Sequence, residues 1–348
     1  MKQYLFKSAF LFLLQTFVLT QLHAQIRIID AEDEKPLAGV YLYDENTNCI
    51  AVSDKNGKVG KLSGKVTASL MGYEPVTVDA STFTGDIKLK SKWNELPEIV
   101  VKKKDYAKMT GVFRDIFRNN GSTIIYREGI VDYYFSKKKG KFIRRIRACH
   151  QYEIENLRKL SAKEVSLWHS GSTDLSKYKS VDSSEKTTSN GDTTIYKAKY
   201  KGKEIADAIM EIKMPKLGLV RQIIDNSKFL KNDTSKYWGS TYITKQNIND
   251  WAIRNKTNDT ISVSDIVAIH KYVACEFLHD NKSKPIYVDA INDFVVTGVE
   301  YLTSKEANKE MKDKKIVREF KMPDVLPEMN YNKEKEIKDL IETDFWER

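Results

Sequence analysis

The stretch TIIYREGIVDYYFSKKKGKFIRRIRACHQYEIENL limits the fold more than any other part of this chain. Its residues alternate with a period of two. Tyr126, Glu128, Ile130, Asp132 and Tyr134 fall on one side, and Arg127, Val131, Tyr133 and Phe135 on the other. That period belongs to a strand, because successive side chains point to opposite faces. The KKKG interruption predicts a hairpin joining two long antiparallel strands. Further strand segments follow: EVSLWH, DTTIYKAKY, EIADAIMEIKMP, LVRQIID, YWGSTYITKQNI, DWAIRNK, VAIHKYVACEFL, PIYVDAINDFVVTGVEYL and KIVREF. The Ser-, Thr- and Lys-rich segment from Ser170 to Asp192 reads as a long surface loop or mobile insert. The expected fold class is therefore mainly β: a small N-terminal β-sandwich, then a larger antiparallel β-rich domain with few helices.

Residues 1–24 read as a signal peptide. Lys2 and Lys7 precede an apolar run, Ala24 offers a small residue before cleavage, and Gln25 is the expected mature start. Residues 25–101 alternate short β-prone runs with turn residues. IRIID, GVYLYD, KVTASLMGY, EPVTV and GDIKLK read as strands, and Asn56-Gly57 marks a tight turn. The expected inward rows include Ile26, Ile28, Val40, Leu42, Val52, Val66, Ala68, Leu70, Val76 and Val78.

Pro36-Leu37, Gly39-Val40, Ser53-Asp54, Gly57 and Gly72-Tyr73 carry a resemblance. With them, residues 25–101 resemble the carboxypeptidase-regulatory-like β-sandwich of exported Bacteroidetes-type proteins. The resemblance implies an orienting domain and no peptidase chemistry. The later YREGIVDYYF, KKKGKFIRRIRACH and FVVTGVEYL strands resemble a β-rich region that follows this sandwich in other exported envelope proteins. That likeness implies an envelope protein and brings no chemistry with it.

Residues 102–122 are expected to form a charged linker and a short helix, with Met109, Val112, Phe113, Ile116 and Phe117 near one helical face. Residues 123–322 form the antiparallel β-rich domain, and residues 323–348 a partly helical C-terminal tail. In that tail Ile337, Leu340 and Ile341 offer an apolar stripe, and the charges solvate the helix. ELPEIVV at the end of the first domain resembles the junction before the plug and barrel of outer-membrane receptors. Such a barrel needs about 22 strands and a plug, more than the 247 residues after Val101 supply. A smaller barrel fits by length, but Arg144, Arg145, Arg147, Lys197 and Lys199 would burden a lipid-facing row. A soluble sheet in the periplasm is favoured, with no transmembrane segment in the mature chain.

The formal charge is +10, which in an exported chain suits anionic envelope surfaces. No recognition helix or zinc-finger spacing points to nucleic acid. Cys49, Cys149 and Cys275 form no disulfide framework; buried thiols are the plain reading and a Cys149–Cys275 bridge the alternative. Neither a metal site nor a cofactor site is predicted. His270, Cys275, His279 and Asp280 lack ligand spacing, because His270 and Cys275 fall on opposite sides of one strand. Cys149 and His150 are strand neighbours that point apart. Glu128 and Asp132 would sit about 13 Å apart, too far for a simple glycosidase pair, so they read as a salt-bridging face. No catalytic residue is assigned.

Aromatics give the one binding signal. Tyr126, Tyr133, Tyr134, Tyr237, Trp238, Tyr242 and Trp251 could line a groove for a glycan, lipid, peptide or envelope protein, or fill the core of wide sheets. The favoured function is an exported cell-envelope accessory or binding protein, periplasmic or outer-membrane associated. The alternative is a cell-surface polymer hydrolase whose acid and base meet only in the tertiary fold.

Overall fold

The computed structural model describes residues 26–46, 48–92, 104–136, 138, 141–160, 185–200, 203–225, 234–237, 240–254, 265–279, 284–322 and 333–345. The expected signal peptide, the ELPEIVV junction, the EVSLWH segment, Asp280 and Trp238 lie outside these residues. The chain divides after Lys92 into two compact units.

The first unit holds β1 (Arg27–Asp30), β2 (Tyr41–Tyr43), β3 (Cys49–Val52), β4 (Lys65–Ser69), β5 (Val76–Asp79) and β6 (Asp86–Leu89). Strands β3-β2-β4-β5 make one antiparallel sheet, and β1 and β6 pair in parallel. Among the expected inward residues, Ile26, Ile28, Val40, Leu42, Val66, Ala68 and Leu70 are buried, while Val52, Val76 and Val78 are half-buried. Ile29, Tyr41 and Tyr43 are buried as well, so β1 and β2 are covered on both faces.

Turn chemistry fixes this unit. Gly57 has φ +71°, and a Cβ there would meet Ile28 O at 2.4 Å, so only glycine fits this close approach. The Ser53 hydroxyl accepts from Val40 N at 2.8 Å and donates to Leu37 O at 2.7 Å. Asp54 Oδ1 accepts from Asn56 N and Lys58 N, both at 2.8 Å. Tyr73 donates its hydroxyl to Asp30 at 2.9 Å; burial, then Asp30, pushes the phenol's pKa up.

The second unit is one large sheet. Its strands are β7 (Tyr106–Asn119), β8 (Ser122–Ser136), β9 (Lys141–Glu153), β10 (Glu185–Asn190), β11 (Thr193–Tyr200), β12 (Lys203–Met214), β13 (Leu219–Asp225), β14 (Thr234–Tyr237), β15 (Ser240–Arg254), β16 (Ile266–Leu278), β17 (Ile286–Leu302) and β18 (Ile341–Thr343). Among the described residues these twelve strands follow the order β10-β11-β12-β13-β15-β16-β17-β7-β8-β9-β18, with β14 on β15. Every pairing is antiparallel. Among the described residues the helices are α1 (Ser304–Lys312) and α2 (Lys333–Ile337), besides short 3-10 turns.

The helix expected within residues 102–122 is a strand. β7 lies between β17 and β8 with fourteen paired positions on each side. Met109, Phe113 and Phe117 are buried on one face, Val112 and Ile116 on the other. Burial on both faces erases the alternation, so the apolar positions mimic helical spacing. YWGSTYITKQNI and DWAIRNK merge into β15 behind the short β14. KIVREF makes only an isolated parallel bridge, Val317 to Ala148.

The principal core lies on one sheet face. Met109, Phe113, Val131, Tyr133, Trp251, Ile269, Phe294 and Val296 pack there. Two glycines admit the rings: a Cβ on Gly111 would meet Phe294 at 2.6 Å, and one on Gly129 would meet Phe113 at 2.8 Å.

Candidate functional site: a polar belt and its strap

Six adjacent strands each carry a polar pair with less polar residues on either side: Asn249-Asp250, His270-Lys271, Asn292-Asp293, Arg114-Asp115, Arg127-Glu128 and His150-Gln151. The register aligns all of them. Asp250, His270, Asp293, Arg114, Glu128 and His150 are successive cross-strand partners, as are Asn249, Lys271, Asn292, Asp115, Arg127 and Gln151. Directly opposed residues share a face, so a polar belt crosses β15, β16, β17, β7, β8 and β9 on both faces.

One face, the charged face, carries the first row. Asp250 is fully buried and accepts Arg221 Nε at 2.9 and 2.8 Å, with a further contact from Arg221 Nη2. His270 Nδ1 lies 2.7 Å from Asp293 Oδ1. Glu128 accepts the Tyr126 hydroxyl at 2.9 Å, lies 3.8 Å from Arg114 Nη2, and pairs with Lys333. Further along this face, Asp132 accepts Thr110 Oγ1 and Arg147 Nε, each at 2.6 Å. The predicted salt-bridging face of Glu128 and Asp132 is what the two residues form.

The core face carries the second row. Asn292 Nδ2 donates to Asp115 Oδ1 at 2.8 Å, and Arg127 Nε donates to Gln151 Oε1 at 2.7 Å. The Arg127 guanidinium also lies over the Phe117 and Phe345 rings, 5.9 and 5.5 Å from their centroids. Burial lifts the Asp115 carboxyl to about 6; the Asn292 hydrogen bond and the Arg127 and Arg144 charges oppose that rise.

The C-terminal segment straps the charged face over β7, β8 and β9. Ala307 and Met311 of α1 join Tyr106, Tyr134 and Leu302 in an apolar cluster. A capping box at Thr303 and Glu306 starts this helix. Glu310 accepts the Tyr134 hydroxyl and meets Lys108 Nζ, both at 3.0 Å. Beyond α1, Phe320 stacks on His150 at 4.5 Å. Glu336 of α2 accepts Arg118 Nη2 at 2.8 Å and the Thr123 hydroxyl. Then β18 pairs with the edge of β9, and Phe345 reaches the core face. The expectation that the tail's charges are solvated is corrected at Glu336, which is buried because its carboxylate answers the buried Arg118.

Five of the aromatics singled out for a groove are buried side chains. Tyr126 and Tyr134 are fully buried on the charged face, Tyr133 and Trp251 are buried on the core face, and Tyr242 belongs to a separate cluster with Cys275 and Phe277. Tyr237 lies in β14 and Trp238 outside the described residues. Strands covered on both faces take their large aromatics inward, and Tyr126, Tyr133, Tyr134, Tyr242 and Trp251 are packed in this way. The cysteines are free thiols. Burial pushes the Cys149 and Cys275 thiols up to about 12, away from the thiolate that nucleophilic chemistry needs. His270 and Cys275 occupy opposite faces, as their spacing predicts, and His279 Nδ1 meets Ser240 Oγ at 3.1 Å. Among the described residues no group of His, Cys, Asp and Glu could hold a metal, and no helix is long and apolar enough to cross a membrane.

Comparison with known proteins finds no matching family and no matching curated protein. The belt itself was visible in outline. FRDIF, YREGI, CHQYE, INDWA, IHKYV and INDFV each place two polar residues between apolar ones, but their alignment into one belt needs the register.

Proposed function

We propose that this chain is an exported cell-envelope accessory or binding protein whose large sheet is a binding scaffold without acid–base catalysis. In this reading residues 25–101 are a carboxypeptidase-regulatory-like domain that orients the sheet. The motif residues support that identity through their roles: Ser53 and Asp54 organise turns, Gly57 admits Ile28 O, and Tyr73 anchors Asp30.

One observation carries the non-catalytic reading. The groups best suited to proton transfer are buried and committed to partners: Glu128 to Lys333 and Tyr126, Asp132 to Arg147 and Thr110, Asp250 to Arg221. A general acid or base must be within reach of a substrate proton. The hydrolase reading has one point in its favour, the His270–Asp293 contact, but His270 is only 1% exposed.

The test is fractionation of cells expressing the tagged full chain, with mass spectrometry of the mature N-terminus. Purified mature chain is then assayed for cosedimentation with envelope polymers and anionic vesicles, and for polymer cleavage. Envelope location, cleavage before Gln25 and saturable binding without release of reducing ends are expected. Cytosolic retention, or polymer cleavage abolished by His270→Gln, would overturn the proposal.

A further inference from the structure

The two helices of the strap are held differently. α1 inserts Ala307 and Met311 into an apolar cluster. α2 is five residues long and buries only Glu336. Its hold on the sheet includes two ionic points one helical turn apart, and the Lys333 ammonium also lies 5.5 Å from the Tyr152 ring centroid. Lys333 meets Glu128, which also accepts the Tyr126 hydroxyl, and Glu336 meets Arg118 and Thr123. Residues three apart on a helix share a face, so both charges reach the same surface.

The sheet provides each charge with a built receptor. Arg118 and Glu128 are nearly fully buried, and each already has a fixed hydrogen-bonding neighbourhood: Asp289 lies 3.3 Å from Arg118, and Tyr126 lies 2.9 Å from Glu128. A preformed pair of opposite charges favours a ligand whose charges match and rejects one whose charges are reversed. The hold on α2 contains little apolar burial. When ions separate into water their hydration offsets much of the lost attraction. A five-residue helix adds little stability of its own. A segment held this way exchanges with a competitor of the same charge pattern, whereas α1 stays anchored.

We propose that the charged face of β7 and β8 is a receptor for a peptide segment bearing lysine and glutamate at i and i+3, and that α2 is its resident occupant. A partner presenting the same pair on a short helix enters by displacing Lys333 and Glu336. This rests on the binding-scaffold reading and names the class of its ligand: a zwitterionic helical peptide.

The experiment uses the full chain with Lys333→Ala and Glu336→Ala together, which empties both receptors. Two labelled peptides are titrated by fluorescence anisotropy: the chain's own residues 331–340, and the same peptide with Glu at 333 and Lys at 336. The double variant should bind the native peptide at least about tenfold tighter than the reversed one, and tighter than wild type does. Equal binding of the two peptides, or no binding by a variant whose near-ultraviolet circular dichroism matches wild type, overturns the proposal. If the variant does not fold, hydrogen exchange of the wild-type chain decides. Rising sodium chloride should expose the α2 amides before those of α1; simultaneous opening overturns it. Polymer cleavage by the chain would defeat the scaffold reading while leaving the peptide result unchanged, so the two failures are distinguishable.

Discussion

The two units differ in how far along the chain many of their carboxylates reach for partners. In the small unit Asp30 accepts from Glu32 N at 2.8 Å, Asp44 from Asn46 N and Asn48 N at 2.8 Å, and Asp54 from Asn56 N and Lys58 N. These are bonds of a side chain to its own turn, beside the longer reach of Ser53 to Leu37 and of Tyr73 to Asp30. In the large unit the partners come from remote strands: Arg221 with Asp250, Arg118 with Asp289, and Asp115 with Asn292. A local bond forms with its turn and survives rearrangement elsewhere. A remote one exists only when the whole sheet is in register, and it penalises every other register by leaving a buried charge without its counterpart.

The sharpest way to break this contrast is Arg221→Ala. It leaves Asp250 buried opposite an empty space, and should destabilise the large unit by about 3–5 kcal/mol. The replacement of both residues by apolar ones, Arg221→Met with Asp250→Leu, should recover most of the loss. Urea unfolding with hydrogen exchange to assign each unit reads both; unchanged amides in the small unit are expected. A mild effect of Arg221→Ala would mean the remote pairs do not set the register.

Asp115 sharpens the same point through pH. Its folded-state carboxyl titrates near 6, above the ordinary value of 3.8. The protonated form therefore favours folding. That contribution is complete below the unfolded pKa and is lost as pH rises through the folded one. Asp115→Asn does not titrate, so its stability should gain on wild type by about 2 kcal/mol between about pH 4 and about pH 7. A difference that stays constant across this range would show that Asp115 remains ionised in the folded sheet.

In the small unit the effects should be smaller and confined. Gly57→Ala forces a side chain into a left-handed position against Ile28 O and should cost at least about 1–2 kcal/mol, read as faster exchange of the β1 amides with β7–β9 unchanged. Arg27→Ala removes an ion pair at 2.6 Å whose side chains are 44% and 29% exposed. Exposed pairs contribute little, so the exchange pattern should not change resolvably.

This contrast also explains which features could be read from the sequence. Turn residues announce themselves locally, so Asn56-Gly57, Ser53-Asp54 and the inward rows at Ile28, Val40, Leu42 and Val66 were legible. The long hairpin of β8 and β9 was legible from alternation and KKKG. β7 was not, because burial on both faces gave Met109, Val112, Phe113, Ile116 and Phe117 a helical look. The polar belt was half legible: each polar pair stands out among apolar neighbours, yet nothing in Arg114-Asp115 names Asn292-Asp293 as its partner. The role of Glu336 was hidden for the same reason. A glutamate among lysines in a tail carries no mark of the buried arginine it will meet.

The strand order places β17, the last long strand of the chain, beside β7, the first of the large sheet. A ribosome therefore delivers one half of that central seam long before the other. Until β17 emerges, β7 and β16 each present an unpaired long edge, the kind of edge that recruits wrong partners. The seam joins residues as far apart as Tyr106 and Leu302, so its closure is a late and slow event in the life of each molecule. A chain interrupted before Ile286 would own most of the sheet's strands and still lack the one that makes them a single sheet.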